Sequence, residues 1–257
     1  MMMNNDEIFR IAMEQSAEDM GCKAEAFLSD SNVVVSFRLG DNSKKYYKLP
    51  IGANFISYGN NTVVGVTDEL SDIVNEYIEK YQFYHCFETP NMNWLNERLA
   101  VKGYKVCFMA EYYLPEVSKI PVMDCKYDLR ILEQKDFQNL YLPEWSNALC
   151  KDRKELDVFG VGAYDGNKLI GLAGCSADAE LMWQIGVDVL PEYRKQGVAS
   201  AITSALEREI IARGKVPFYC SAWSNIRSVR NAIKSGFIPA WIEMTIKPTE
   251  IVDEMNI

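Results

Sequence analysis

The stretch "VDVLPEYRKQGVA" runs from Val187 to Ala199 and joins an apolar, β-branched run to an apolar run with helical spacing. A proline, two cations and a single glycine separate the two runs. The first four N–H groups of a helix have no partner within it, so a helix that begins at Val198 can hold an anion on its amides. The alternative interpretation is an ordinary turn at which nothing is bound.

Three properties of this junction favour an anion site. The aligned peptide dipoles place roughly half a positive charge at a helix N-terminus. Gly197 lacks a Cβ and lets a ligand approach the backbone, while Arg194 and Lys195 add positive charge beside it. The spacing matches neither GxxxxGK followed by Ser or Thr nor GxGxxG. The junction therefore predicts a phosphate or pyrophosphate held by backbone amides.

The composition is that of a globular protein and restricts the class of partner. The 257 residues are 48% hydrophobic and 25% charged, and the length is comfortable for two small cores. The formal net charge of −9 argues against a nucleic-acid partner, because a phosphate backbone requires a basic surface. An acidic protein instead favours a cationic substrate.

The cysteine and histidine content argues against a metal site or a His-based triad. The sequence holds one histidine, His85, and seven scattered cysteines without a CxxC spacing, which indicates reduced thiols in a cytoplasmic protein. The first ten residues are polar and acidic, which is not typical of a signal peptide. The sequence has no apolar run of about 18 residues, so we expect no membrane span.

The first half mixes helical and strand periodicities. We predict helices over 1–30, 68–82 and 92–103, and strands over 33–39, 45–49, 61–66, 83–88 and 104–114. The segment 115–125 carries two prolines and no clear period, which predicts a linker. Two domains are therefore expected, an N-terminal α/β half over 1–120 and a second domain over 126–257.

The second half contains a predicted hairpin, 157–177, whose turn is "DGN" at 165–167. A strand over 127–132 and a helical stretch over 134–150 precede the hairpin. Strands over 181–189, 217–223 and 237–246 and helices over 198–214 and 225–236 follow it. An apolar stripe along the helix 198–214 comprises Val198, Ile202, Leu206 and Ile210.

The two halves end in similar patterns. Cys86 lies five residues before Asn91, and Cys220 lies five residues before Asn225; each Asn is followed by a predicted helix and a Gly-aromatic pair. This repetition predicts two copies of one architecture, although strand–Asn–helix–Gly is also common in unrelated α/β proteins. The first copy has neither the Arg nor the Gly of the junction, so only the second is expected to bind an anion.

Three blocks of the second half follow one another in a defined order. They are "VLPEYR" at 189–194, then Arg194, Gly197 and Ala199, and finally Asn225 with Gly236–Phe237. These blocks resemble the acetyl-CoA-binding signature of the GNAT superfamily of N-acetyltransferases. The resemblance covers about half the chain, and the whole chain resembles the zwittermicin-resistance-type GNAT acetyltransferases with a degenerate first half.

The resemblance implies an α/β (α+β) GNAT fold, with a central mixed, mostly antiparallel sheet flanked by helices, preceded by a smaller degenerate GNAT-like half. In this family the fourth and fifth strands part after a bulge in the fourth, and the pantetheine arm of acetyl-CoA lies in the gap. The cofactor-binding residues that it implies are Val187, Asp188 and Val189 for the pantetheine, and Arg194, Lys195, Gln196, Gly197, Val198 and Ala199 for the pyrophosphate. Asn225 and Ser228 would face the pantetheine and the thioester, although Asn225 equally suits a plain helix N-cap.

The chemistry of acetyl transfer sets requirements for further residues. A lysine-like amine is neutral in about one molecule in a few thousand at pH 7, a cost of roughly 4–5 kcal/mol that a general base or water relay must meet. Asp188, predicted to be buried, and Glu180 are the candidate bases, with Gln184 able to hold a water; Glu180 equally suits a solvated strand end. Many family members protonate the leaving thiolate with a Tyr whose place here is Ala232, so Ser228 or water is the candidate donor.

Aromatic and cysteine side chains offer further candidates with plain structural alternatives. Trp183, Trp223, Trp241 and the aromatics of 137–145 line an acceptor pocket or simply belong to cores. Cys220 lies between apolar neighbours with no histidine near in sequence, so a buried structural thiol is favoured over a nucleophile.

We therefore expect an acetyl-CoA-dependent N-acetyltransferase that acts, without a metal, on a primary amine of a small molecule or peptide by direct attack in a ternary complex. The alternative is a non-catalytic acyl-CoA-binding sensor or interaction module with the same fold. The first half shapes the acceptor pocket or mediates homodimer formation, and the sequence leaves both open.

Overall fold

The computed structural model describes residues 3–48 and 50–255, which divide into two compact units. One unit, called the junction unit, comprises 3–11 and 113–239; the other, called the second unit, comprises 12–112 and 240–255. This division differs from the predicted 1–120 and 126–257 at both ends of the chain. The first residues cluster with the later half of the sequence, and the last residues cluster with the earlier half.

The regular elements alternate along the chain. The helices are α1 Asn5–Met20, α2 Ser71–Lys80, α3 Thr89–Ala100, α4 Val198–Ala212, α5 Ile226–Ser235 and α6 Thr249–Met255. The strands are β1 Val33–Ser36, β2 Ala53–Ser57, β3 Val63–Val66, β4 Tyr104–Pro115, β5 Asp128–Glu133, β6 Asp157–Asp165, β7 Lys168–Ser176, β8 Met182–Val189, β9 Val216–Ser221 and β10 Phe237–Pro248.

The junction unit contains a mixed sheet in the order β9-β8-β7-β6-β5. The pairs from β5 to β8 are antiparallel, and β8 and β9 are parallel. The predicted stripe of α4 is confirmed, because its four residues are buried in one core with Phe159, Tyr219 and Phe237. The expected α/β fold, with a mixed, mostly antiparallel sheet flanked by helices, is confirmed.

The strands of the second unit follow one another in the order β1-β3-β2-β10-β4. β1 and β3 are parallel, whereas β2 pairs antiparallel with β3 and with β10. Side chains of β2, β3 and β10 share a core with α2 and α3, around Phe55, Tyr77 and Leu95.

Several predicted elements of the first half were wrong. Lys45–Lys48 and Phe83–Phe87 form 3₁₀ helices rather than strands, and residue 49 lies outside the described residues. In the second of these helices, Cys86 and Phe87 are adjacent in sequence and both buried. β2 was not predicted, because all five of its residues are buried and show no alternation.

The stretch 134–150 contains only short 3₁₀ turns, at Gln134–Phe137 and Pro143–Trp145, instead of the predicted helical stretch. Pro143 lacks the N–H that a continuous helix requires. The predicted repetition also fails locally, because Cys86 lies in a 3₁₀ helix and Cys220 lies in β9. Two copies of one architecture are therefore not confirmed.

α4 carries a buried carboxyl group on its helix–helix side. Glu207 is 0% exposed, and neither of its carboxyl oxygens has a hydrogen-bond partner among the described residues. Burial raises the pKa of Glu207 to about 9, and the nearby Arg208 offsets only part of this increase. The folded protein therefore holds Glu207 as the neutral acid at pH 7.

We expect Glu207→Gln to change how stability depends on pH. Above about pH 4.5 the unfolded chain releases this proton while the folded chain keeps it, so a rise in pH favours unfolding until about pH 9. The wild type should therefore lose stability relative to the variant across this window, by roughly 3 kcal/mol at pH 7. Urea denaturation from pH 4 to 9 measures the difference; Glu209→Gln, on the same helix, is the control, and parallel curves for wild type and Glu207→Gln would contradict the assignment.

Candidate functional site

The strands β8 and β9 are neighbours in the junction unit's sheet and part along their length. Their parallel pairing begins at Met182↔Val216 and ends at Ile185↔Tyr219, while β8 continues to Val189 against β7 alone. The last four residues of β8 therefore present an unpaired backbone edge to the gap. The expected bulge was wrong, because β8 and β7 keep one register from Gln184 to Val189.

The gap leads into the junction, where the chain takes two left-handed steps. After a 3₁₀ turn over Pro191–Tyr193, Lys195 has φ 60° and Gly197 has φ 83°. Lys195 is the only residue other than glycine with a positive φ in the described part of the chain. A left-handed residue with a side chain costs about 1–2 kcal/mol, and such strain concentrates at functional sites.

The N-terminus of α4 is open and uncapped. Gly197 occupies the N-cap position, and no side chain caps the first amides of this 15-residue helix. A Cβ built on Gly197 would meet no atom within 4 Å, so the space above the turn is free. The helix dipole and the amides therefore point at a volume that an anion can enter.

Side chains of the junction fix its shape. Arg194 donates from Nε to the carbonyl oxygen of Val189 at 3.0 Å, which ties the turn to the end of β8. Gln196 donates to the carbonyl of Glu192 at 3.2 Å and accepts from the Tyr127 hydroxyl at 2.9 Å. Arg194 and Gln196 therefore hold the turn in addition to their predicted role beside a ligand.

The acid nearest the turn has its own cation. Glu192 lies 2.9 Å from the Lys168 ammonium, and both side chains are exposed. The pKa of Glu192 is lowered, first by its own backbone amide and then by Lys168. Its negative charge is thus balanced, and the charges of Arg194 and Lys195 are left to act on a ligand.

The predicted cofactor residues gather in two places. The first is the end of β8 and the start of α4, with Val187 and Val189 packed partly against the core and Val198 buried within it. Only the backbone groups of these three valines can therefore serve a ligand. The second place is the start of α5, with Asn225 and Ser228.

Asn225 acts as the N-cap of α5, because its Oδ1 accepts from the Ser228 amide at 3.2 Å. The hydroxyl of Ser228 lies 2.8 Å from the hydroxyl of Tyr219, the last residue of β9 that pairs with β8. Ala232, where the family commonly has a Tyr, is 0% exposed and belongs to the core. Sequence reasoning missed Tyr219, since a lone Tyr in an apolar strand gives no functional signal.

Asp188 holds a loop. It is half-buried rather than buried as predicted, and its carboxylate accepts from the Asn147 amide at 2.8 Å, from Asn147 Nδ2 at 2.7 Å and from the Ala148 amide at 3.0 Å. Sequence reasoning missed Asn147, because the contact joins residues 41 positions apart.

Two glycines give this loop its place on the sheet. Gly174 and Gly186 are direct partners across β7 and β8. A Cβ on Gly186 would lie 1.8 Å from the carbonyl oxygen of Asn147, and one on Gly174 would lie 2.2 Å from that of Ala148. The segment 146–149 therefore lies directly on strand backbone, with Asp188 as its hydrogen-bonding anchor.

The remaining polar candidates lie along β8. Glu180 is exposed before the start of the strand, and its carbonyl accepts from the Lys215 ammonium at 2.9 Å. Gln184 donates from Nε2 to the half-buried Cys220 Sγ at 3.2 Å. Glu180 therefore precedes β8 and Gln184 lies in its first half, on the side of the strand away from the junction.

The predicted aromatic candidates are dispersed. Trp183 is half-buried with its ring edge against Phe159, and Trp223 is 51% exposed just after β9. Trp241 belongs to the second unit, where it stacks on Tyr112. The structure therefore does not gather the three tryptophans around one pocket of the junction unit.

Among residues 3–48 and 50–255, no group of three or more His, Cys, Asp or Glu side chains is placed to hold a metal ion. Over the same residues, each helix is too short or too polar to cross a membrane.

Residues 126–237 match the model of the acetyltransferase (GNAT) family. The match lies within the junction unit and contains the parted strands, the junction and the start of α5. No curated protein sequence matches the chain.

Solved structures with related descriptions include a putative GNAT-family acetyltransferase from Novosphingobium aromaticivorans, with 22% identity, a TM-score of 0.41 and coverage of 56% of this chain and 66% of that one. A GCN5-related N-acetyltransferase-like protein from Streptococcus suis shows 17% identity, a TM-score of 0.45 and coverage of 60% and 66%. A GNAT-family acetyltransferase from Colwellia psychrerythraea shows 16% identity, a TM-score of 0.42 and coverage of 62% and 63%. The chain spans just under two thirds of the length of each.

We expect Asp188→Ala to release the segment 146–149 from the sheet. The variant removes three hydrogen bonds to a carboxylate and should lower the free energy of unfolding by about 1–3 kcal/mol. Urea denaturation measures this loss, and limited proteolysis within the segment should accelerate. Asp128→Ala, which removes an exposed carboxylate paired with Arg130, is the control and should change stability by less than about 0.5 kcal/mol. Equal losses of stability in Asp188→Ala and Asp128→Ala would contradict the anchoring role of Asp188.

Proposed function

We propose that the GNAT-family acetyltransferase domain at residues 126–237 transfers an acetyl group from acetyl-CoA to a primary amine of a small molecule or peptide, by direct attack in a ternary complex. The observation that carries this proposal is the junction. Left-handed Lys195 and Gly197 turn the uncapped amides of α4 toward open space, beside a strand whose edge has lost its partner.

The described residues fit the two polar parts of acetyl-CoA. The amides from Lys195 to Ala199 would hold the pyrophosphate, with charge added by Arg194 and Lys195. The unpaired edge of β8 would pair with the pantetheine arm as an added strand, because its N–H and C=O groups need partners. Acetyl-CoA supplies an activated acyl group there, and Asn225 and Ser228 would face its reactive end.

An amine acceptor must lose a proton before it attacks, and two carboxylates are candidates for the base. Asp188 is the nearer to the parting along β8, but three donors occupy its oxygens, so we propose that it positions the segment 146–149 as a wall of the acceptor pocket. Glu180 is solvent-exposed, and we propose that it takes the proton through water.

The departing thiolate of CoA needs a hydrogen-bond donor that stabilises its negative charge. Ser228 is half-buried in the first turn of α5, and we propose that its hydroxyl supports the departing sulfur. The acidic character of the whole chain favours a cationic amine as acceptor. A module that binds acyl-CoA without turnover is the alternative, and an amine panel distinguishes the two.

Two matched glycines test cofactor binding. Gly197 and Gly214 both have left-handed φ, at 83° and 72°, and a Cβ on either meets no atom within 4 Å. Gly197→Glu and Gly214→Glu therefore carry similar backbone strain, but only the first places a carboxylate where we propose pyrophosphate. Calorimetry should show acetyl-CoA binding by the wild type and by Gly214→Glu, with at least a tenfold loss in Gly197→Glu.

Circular dichroism establishes that both glutamate variants are folded. Equal affinities of Gly197→Glu and Gly214→Glu would place the cofactor elsewhere, and a wild type that binds no acyl-CoA would overturn the proposed function. If the wild type binds acetyl-CoA tightly but releases no CoA thiol with any amine of the panel, the protein is the non-catalytic acyl-CoA-binding module.

The two carboxylates differ in their expected kinetics. With an amine found in the panel, Glu180→Gln should lower kcat by about 100-fold or more, typical of a lost general base, and keep the affinity for acetyl-CoA. Asp188→Asn should mainly raise KM for the amine, because it disturbs a binding wall. Initial rates at varied amine concentration measure both, and the reverse pattern would make Asp188 the base.

A further inference from the structure

The hydroxyl pair of Tyr219 and Ser228 lies where β8 and β9 separate. Tyr219 is the last residue of β9 in register with β8, opposite Ile185. Its side chain is 3% exposed and packs among the core residues, with its ring edge toward Tyr113. Only its hydroxyl reaches out of this apolar setting, to Ser228 at 2.8 Å.

The backbone of Ser228 is fixed as well. Its amide donates to Asn225 Oδ1, and the residue belongs to the first turn of α5. The hydroxyl hydrogen of a serine rotates about the Cβ–Oγ bond, so it points in no defined direction unless a donor engages one of the oxygen's lone pairs. The Tyr219 hydroxyl is placed to do this.

The surroundings of the phenol determine which way its hydrogen points. Tyr219 is 3% exposed in an apolar core, and a buried O–H needs an acceptor. Ser228 Oγ, at 2.8 Å, is an acceptor within hydrogen-bond distance, and the half-buried Ser228 can direct its own hydrogen away from the core. The amide of Asn231 is already engaged, with Ser200 at Oδ1 and with Thr203 at Nδ2.

The phenol keeps its hydrogen throughout the physiological range. Burial raises the pKa of Tyr219, and the nearby polar side chains of Ser228 and Asn231 offset only part of this increase. A neutral phenol is a hydrogen-bond donor at every pH at which the protein would be assayed.

We infer that Tyr219 is a positioning residue that acts through Ser228: by donating to Ser228 Oγ, it turns the Ser228 hydrogen toward the gap, where it meets the sulfur of CoA. This inference rests on the proposed function, and neither the sequence pattern nor the family match points to Tyr219. In the transfer step the amine lone pair forms the N–C bond, the C–S bond breaks, and its electron pair leaves on sulfur. Ser228 donates a hydrogen bond to that sulfur without losing its proton, and the proton released by the amine reaches the thiolate through solvent.

The product complex tests this inference without knowledge of the acceptor. CoA carrying ¹³C beside its sulfur reports the ionisation of its thiol by NMR. A hydrogen bond from Ser228 stabilises the thiolate, so the thiolate fraction of bound CoA at pH 7.5 should be ~10-fold larger in the wild type than in Ser228→Ala or Tyr219→Phe. Because Tyr219 acts through Ser228, the double variant should equal Ser228→Ala.

Matched variants separate this effect from packing. Tyr113→Phe removes a hydroxyl from the same core and should leave the thiolate fraction unchanged. Ser228→Thr keeps a hydroxyl at position 228 and should retain the wild-type thiolate fraction. Equal thiolate fractions in the wild type and in Tyr219→Phe, with CoA bound to both by calorimetry, would overturn the inference and leave the proposed function standing. Equal thiolate fractions in Ser228→Ala and Ser228→Thr would overturn the inference as well, whether or not Tyr219→Phe folds, and a wild type that binds no CoA overturns the proposed function and this inference together.

Discussion

The end of the β8–β9 pairing at Ile185↔Tyr219 is the constraint on which the candidate site depends. A parallel pair that continued to Val189 would satisfy the backbone of β8 and leave nothing for a ligand. Because the pairing stops, the last four residues of β8 have no neighbouring strand on the side of the gap, where water or a ligand can supply backbone partners. The junction, the start of α5 and the Tyr219 hydroxyl all lie at this opening.

The junction offers an anion two sources of attraction that need no charged side chain, namely the free amides at the start of α4 and the dipole of that helix. Its amides come from a 15-residue helix whose N-cap is a glycine, so their positive end faces open space. The strain at Lys195 is a local cost, and the hydrogen bonds of Arg194 and Gln196 to the surrounding backbone keep the turn in that conformation. The site is therefore formed before any ligand arrives.

The sequence predicted the parts of the fold that depend on local signals. The hairpin at "DGN", the stripe of α4 and the glycine at the start of that helix are such signals, and all three were placed well. β2 was missed because complete burial removes alternation, and Asn147 and Tyr219 were missed because their contacts are set by tertiary packing across 41 and 9 positions. The division into units was also beyond the sequence, since it depends on which strands meet.

The pair Gly174 and Gly186 has a consequence for how this protein can diversify. Every side chain larger than hydrogen at either position would collide with the main chain of 147–148, so these two strand positions cannot vary to reshape their surroundings. Variation in the covering loop is limited as well, because Ala148 and Leu149 are buried and Asn147 is hydrogen-bonded to Asp188, which leaves the exposed Ser146 as the position most open to change. The fold thus combines two strand positions that must remain glycine with a covering segment of which only the exposed part can change.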